Sequence, residues 1–106
     1  MLKKKQRLTK EAFDIVFKKG QRVHSPTIQL IYQKSDVFHG SAVVGKKVCK
    51  KAVDRNRLRR RLYAVLYSYC KAGSCKGTYV LVAKPKLTEV SKKEFTQEVE
   101  KVLQGV

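Results

Sequence analysis

The sequence predicts an α/β (α+β) two-layer sandwich built around a four-stranded sheet, with its elements in the order αβββαβα. Three observations carry that expectation. Apolar residues recur at helical spacing in three places, around residues 12–17, 58–69 and 95–103. Alternating or continuous apolar runs of strand length lie between them, at 27–33, 41–45 and 79–83. No linker, repeat or shift of composition divides the 106 residues, a length that supplies one modest core and not two. One domain over 1–106 is therefore expected. Its first eight residues, with Lys3, Lys4, Lys5 and Arg7, read as a flexible basic arm.

The first helix is expected over 10–19. Thr9 is a good N-cap, Leu8 and Phe13 stand at the positions of a hydrophobic staple, and Glu11 suits the positive end of the dipole. Ala12, Phe13, Val16 and Phe17 form its apolar stripe, and Gly20 is expected to close it in the left-handed conformation. A short strand follows at 21–24, interrupted by Ser25-Pro26. From Thr27 the pattern alternates, with Ile28, Leu30 and Tyr32 on one face and Ile31 breaking the polarity of the other. A turn-rich stretch from Lys34 to Gly40 leads to a third strand over 41–45. A long helix is expected from about Lys51 to Ala72, with Leu58, Leu62, Val65, Leu66 and Tyr69 as its core stripe. Tyr79–Ala83 reads as a strand covered on both faces, stopped by Lys84-Pro85. Ser91 and Glu94 have capping-box spacing, Val90 and Phe95 staple spacing, and Phe95, Val99, Val102 and Leu103 give a last helix. Four acids against three lysines over 89–106 make that helix a support.

The functional signal is charge. Lys and Arg number 25 against 8 Asp and Glu, for a formal net charge of +17. Nine of those bases fall in the sixteen residues 46–61, KKVCKKAVDRNRLRRR, opposed only by Asp54. Such density is borne most easily beside a polyanion, and nucleic acid is the first candidate. Phased at about 100° per residue, Asn56, Arg57 and Arg60 lie opposite the apolar stripe and Arg59 and Arg61 flank them. Arg55 falls on the apolar side, in the first turn, where it can project past the edge of the core. The helix start adds free amides and a positive dipole end for a phosphate, and the guanidinium forks can grip phosphate oxygens in pairs. Phe13 and Phe17, one turn apart, are core residues on the simplest reading; part of their surface can also line a groove where unpaired bases stack, flanked by Lys18 and Lys84.

Other chemistries find less support. The acids form no evident acid–base pair, and Glu94/Glu98 reads as a solvated helix face. Cys49, Cys70 and Cys75 lack Cys-x-x-Cys spacing, and with His24 and His39 they make no zinc pattern; they read as plain thiols of a reducing cytosol. No apolar run approaches the ~20 residues of a membrane span, and MLKKKQRL lacks the apolar region of a secretory signal. A cytoplasmic location without membrane contact is expected, with no stable protein partner.

The run Val44-Gly45-Lys46-Lys47, followed by Lys50-Lys51-Ala52-Val53-Asp54-Arg55-Asn56-Arg57-Leu58-Arg59-Arg60, resembles the signature of the bacterial ribonuclease P protein subunit. Arg7-Leu8, the Phe13/Phe17 helix, Ala83-Lys84-Pro85 and the last helix extend the likeness over nearly the whole chain. The resemblance implies a left-handed crossover from the third strand through the long helix to the fourth, against the usual rule. It implies that Lys46, Lys47, Lys50, Lys51, Arg55, Asn56, Arg57, Arg59 and Arg60 contact the catalytic RNA subunit. It implies further that Phe13, Phe17, Lys18, Ile31 and Lys84 line a cleft for the 5′ leader of precursor tRNA. The reaction implied is Mg²⁺-dependent hydrolysis that frees the mature tRNA 5′ end, with Mg²⁺ held mainly by the RNA and no metal position assigned to this chain. Tyr63 departs from the family pattern, which usually has a basic residue there. A ribosomal or other rRNA-binding protein shares the size, charge and fold class and stays as the alternative; a free-standing nuclease is a third reading, opposed by the missing acid–base or metal cluster.

Overall fold

The computed structural model describes residues 10–36, 38–70 and 76–105. The elements are α1 (Lys10–Lys19), β1 (Gln21–His24), β2 (Ile28–Gln33), β3 (His39–Val43), α2 (Ala52–Tyr69), β4 (Thr78–Ala83), a 3-10 helix (Pro85–Glu89) and α3 (Lys92–Leu103). The expected order αβββαβα is present, in an α+β domain. The basic arm, Leu8, Thr9, Gly73 and Cys75 lie outside the described residues.

The four strands form one sheet in the order β1-β2-β4-β3. β1 pairs with β2 and β2 with β4 antiparallel, while β3 and β4 run parallel and are joined through α2. Strand periodicity then sorts the side chains. Ile28, Leu30, Leu81 and Ala83 face α2 and α3, where they pack with Leu58, Leu62, Leu66, Phe95, Val99, Val102 and Leu103. Ile31 and Val80 point the other way and pack with Val16 of α1. One layer of two helices thus covers one face, and α1 lies alone on the other. This double cover is why β4 reads as a continuous apolar run.

The third strand starts two residues earlier than its apolar pattern suggests. Parallel pairing sets its register, from His39 opposite Thr78 to Val43 opposite Val82, and the His39 amide donates to the Gly77 carbonyl at 3.0 Å. The hairpin between β1 and β2 is built on Ser25, whose Oγ donates to the Ile28 carbonyl (2.9 Å) and accepts from the Ile28 amide (3.0 Å). Ser91 caps α3 as expected, accepting from the Glu94 amide at 3.2 Å. Glu98 is more than a solvated helix face: its carboxylate accepts from Thr27 Oγ1 at 3.0 Å and ties α3 to the start of β2.

Three side-chain expectations are corrected. Gly20 does not take the left-handed conformation; among the described glycines that backbone belongs to Gly77, at φ 128°. Gly20 is needed for space, because a Cβ there would meet Ile31 Cγ2 and the Val16 carbonyl oxygen, each at 2.6 Å. Tyr69 does not close the core stripe of α2. It is 36% exposed, and Cys70 at 7% takes the inward position one turn after Leu66. Cys70 is disulfide-bonded, so the reading of all three cysteines as plain thiols fails there.

Candidate nucleic-acid interface

The loop 44–51 presents its lysines by burying what lies between them. In Lys46-Lys47-Val48-Cys49-Lys50-Lys51 the central pair packs against the core, while the four lysines are exposed. The Val48 and Cys49 amides both donate to the Gly45 carbonyl, at 3.1 and 3.3 Å, which folds the loop into a tight turn. Arg55 locks this turn to the helix. Its Nη1 donates to the carbonyls of Cys49 (3.1 Å) and Lys50 (2.7 Å). The half-buried place that phasing gave Arg55 is therefore used, in part, to fix the lysine loop.

Lys51 is the N-cap of α2 and its side chain makes no capping hydrogen bond. Beyond this start, Asn56, Arg57 and Arg60 are exposed on the outward face, and Arg59 is half-buried beside them. Arg60 Nε makes one long hydrogen bond, 3.4 Å, to the Asn56 carbonyl. Arg61 leaves this face altogether: its guanidinium carbon lies 4.2 Å from the Phe95 ring centroid, a cation–π contact joining α2 to α3. Tyr63, also half-buried, packs against the main core. Loop and helix together make one continuous cationic surface whose components are held by buried neighbours.

The second surface is on the α1 side. The Phe13 and Phe17 rings stack with centroids 5.7 Å apart and planes inclined by 26°. Phe13 is half-buried and Phe17 is 41% exposed, which leaves aromatic surface at the edge of the sheet. Lys18 is exposed on the last turn of α1. Lys84 is half-buried and its Nζ donates to the Ser25 carbonyl at 2.7 Å, so the ammonium is anchored at the hairpin end of the cleft. Ile31 does not line an open cleft. It is fully buried, because Gly20 lets the end of α1 settle directly on it. The half-buried floor beside the helix is made by Val43 and Val82, which stand opposite one another and pack against the Ile31 cluster.

Sequence reasoning missed Arg22 on this side. Its Nη2 donates to the Phe17 carbonyl at 2.6 Å, and its guanidinium carbon stands 4.9 Å from the Phe17 ring centroid. The only signal available was its place in the β1 alternation, on the side of Ile31. Among the described residues no group of three or more His, Cys, Asp or Glu side chains is placed to hold a metal ion. No described helix is long and apolar enough to cross a membrane.

A small α+β domain with an exposed cationic helix face on one layer and stacked aromatic rings on the other falls in the class of strongly basic single-domain proteins. The protein family described as Ribonuclease P matches residues 2–106. The chain is 41% identical over 98 residues to the ribonuclease P protein component of a Nitratiruptor species, covering 92% of this chain and 88% of that one. It is 31% identical over 101 residues to the ribonuclease P protein component of a Synechococcus species, with 90% and 76% covered. Two solved structures share the fold: the RNase P protein of Thermotoga maritima (TM-score 0.81, 24% identity, 94% of this chain and 96% of that one) and that of Staphylococcus aureus (0.82, 22%, 93% and 93%). The chain belongs to the ribonuclease P protein family.

Proposed function

We propose that this chain is the protein subunit of ribonuclease P and that it works by holding two RNAs. The outward face of α2 and the lysine loop bind the catalytic RNA: Lys46, Lys47, Lys50, Lys51, Asn56, Arg57, Arg59 and Arg60 by direct contact, Arg55 at least partly by fixing the loop. The α1 side holds the single-stranded 5′ leader of precursor tRNA, with Phe13 and Phe17 as aromatic surface, Lys18 and Lys84 as flanking cations and Ile31 as the support beneath. The observation that carries the reading is the exposed Asn56/Arg57/Arg60 face in a chain of this family.

Phosphodiester hydrolysis belongs to the RNA and the Mg²⁺ it holds. No metal position is assigned to this chain. The protein's part is positional and electrostatic. A surface of four loop lysines with Arg57, Arg59 and Arg60 relieves the repulsion between two RNA backbones, and a leader fixed at one end places the cleavage site by tethering.

The test is cleavage of precursor tRNA by a bacterial ribonuclease P RNA at moderate Mg²⁺, with and without this chain. Stimulation that depends on the leader is expected. No stimulation, together with equally tight binding to unrelated rRNA, favours the rRNA-binding alternative. Cleavage by the protein alone overturns the assignment of chemistry to the RNA.

A further inference from the structure

The aromatic surface on the α1 side is not a bare ring. Phe13 stacks on Phe17 from the preceding helical turn, and Arg22 comes to the same ring from the strand that follows the helix. Phe17 stays 41% exposed with that guanidinium beside it, so ring and guanidinium present themselves together. That guanidinium is fixed twice, by the Phe17 ring and by the Phe17 carbonyl at 2.6 Å. The carbonyl belongs to the last turn of α1, where unpaired carbonyls and the negative end of the helix dipole favour a cation. β-pairing fixes its base as well, since Arg22 stands opposite Ile31 on the side of the sheet that carries α1.

We infer that Arg22 shares the outermost tier of the stacking platform with the Phe17 ring and touches the leader. The inference rests on the leader-binding reading of this cleft. A guanidinium is planar and stacks on a nucleobase as an aromatic ring does, and it also carries charge. Of its five N–H donors the Phe17 carbonyl takes one, so others remain to reach a neighbouring phosphate. Phe17 then has two parts, as stacking surface and as the ring that holds the guanidinium in place. A ligand that stacks and carries a phosphate at one residue's spacing is a single-stranded nucleotide, and the recognition is tolerant of base identity because every base presents a π-face.

The inference is tested in the protein reconstituted with a bacterial ribonuclease P RNA, comparing affinity for precursor tRNA bearing a single-stranded leader with that for mature tRNA. Arg22→Lys keeps the charge and loses the plane; Arg22→Gln loses the charge. Each is expected to weaken leader-bearing substrate about tenfold, a typical loss for one stacked base, and to change mature tRNA by less than about twofold. Phe17→Ala is expected to act on the same substrate, and the double variant with Arg22→Gln to lose less than the two losses multiplied. Arg22→Lys indistinguishable from the parent, or equal losses for both RNAs, overturns the role of Arg22. If Phe17→Ala is selective for the leader while the Arg22 variants are silent, Arg22 alone is wrong. If Phe17→Ala shows no selectivity either, the leader-binding reading fails and this inference with it.

Discussion

Replacing Gly20 by Ala is expected to separate the two surfaces in a single experiment. An added Cβ would lie 2.6 Å from both Ile31 Cγ2 and the Val16 carbonyl oxygen, and 3.1 Å from the Tyr32 carbonyl oxygen. Two of these three neighbours are backbone atoms, so the strain cannot be relieved by turning a side chain. The end of α1 must lift from β2. The buried apolar anchorage of α1 is small, Val16 on Ile31 and Val80, and a shift of a few tenths of an ångström opens it. Overpacking of this kind costs about 1–3 kcal/mol. For a domain of this size that lowers the thermal midpoint by on the order of 5–15 °C. The assay is a melting curve alongside two binding measurements. Binding to the ribonuclease P RNA through α2 is expected within about twofold of the parent, while preference for leader-bearing substrate falls. Gly45→Ala is the control for the melting curve alone, because a Cβ there meets nothing within 4 Å. A Gly20→Ala midpoint within about 1 °C of the parent refutes the packing argument. A midpoint that falls with both RNA affinities equally reduced refutes the division into two surfaces.

Arg57→Ala and Arg60→Ala are each expected to weaken RNA binding and to flatten its dependence on salt by roughly one phosphate contact; an unchanged slope counts against direct phosphate pairing. Arg55→Ala frees the Cys49 and Lys50 carbonyls, so backbone amide exchange over 44–51 should quicken, and RNA affinity should fall even with the four lysines intact. Tyr79 has its pKa raised by burial, with Tyr32 and Tyr69 adding to the effect. Its unfolded form therefore loses the proton first, and stability present below about pH 10 is lost as pH rises through the folded value. Tyr79→Phe should flatten that alkaline limb of the melting profile, and an unaltered limb assigns it to other groups.

The helices are legible in the sequence because their signals are local. Ser91 sits at a cap and Lys10–Lys19 at a stripe, and both elements begin or end where the chain says. The outward face of α2 is legible for the same reason, since phasing depends only on spacing. What escapes the sequence depends on partners distant along the chain. β3 is displaced by two residues because its register is chosen by β4. The family resemblance implies a cleft position for Ile31, on the face away from α2 and α3; the descent of α1 permitted by Gly20 buries it instead. Pro85 marks the end of a strand and is also the first residue of a 3-10 helix, where its missing N–H is harmless. Arg22 gives no local sign, because its meaning lies in a ring five residues earlier, brought close by the turn between α1 and β1.

The strand order carries a consequence for how the chain comes to be folded. β4 sits between β2 and β3 and is the last strand to be synthesised. Until residue 83 has left the ribosome, β2 can pair only with β1 and β3 has no neighbour. The cationic helix emerges before the sheet it rests on can exist, and Gln33 must wait for Thr78, forty-five residues later, to close the main ladder. Such long-range closure is slow. During that interval the nascent chain is a hairpin, a helix carrying most of the basic block, and an incomplete platform. Completion of the fold is therefore a late event: β4 closes the sheet, and α3, made after it, completes the helical layer beside α2.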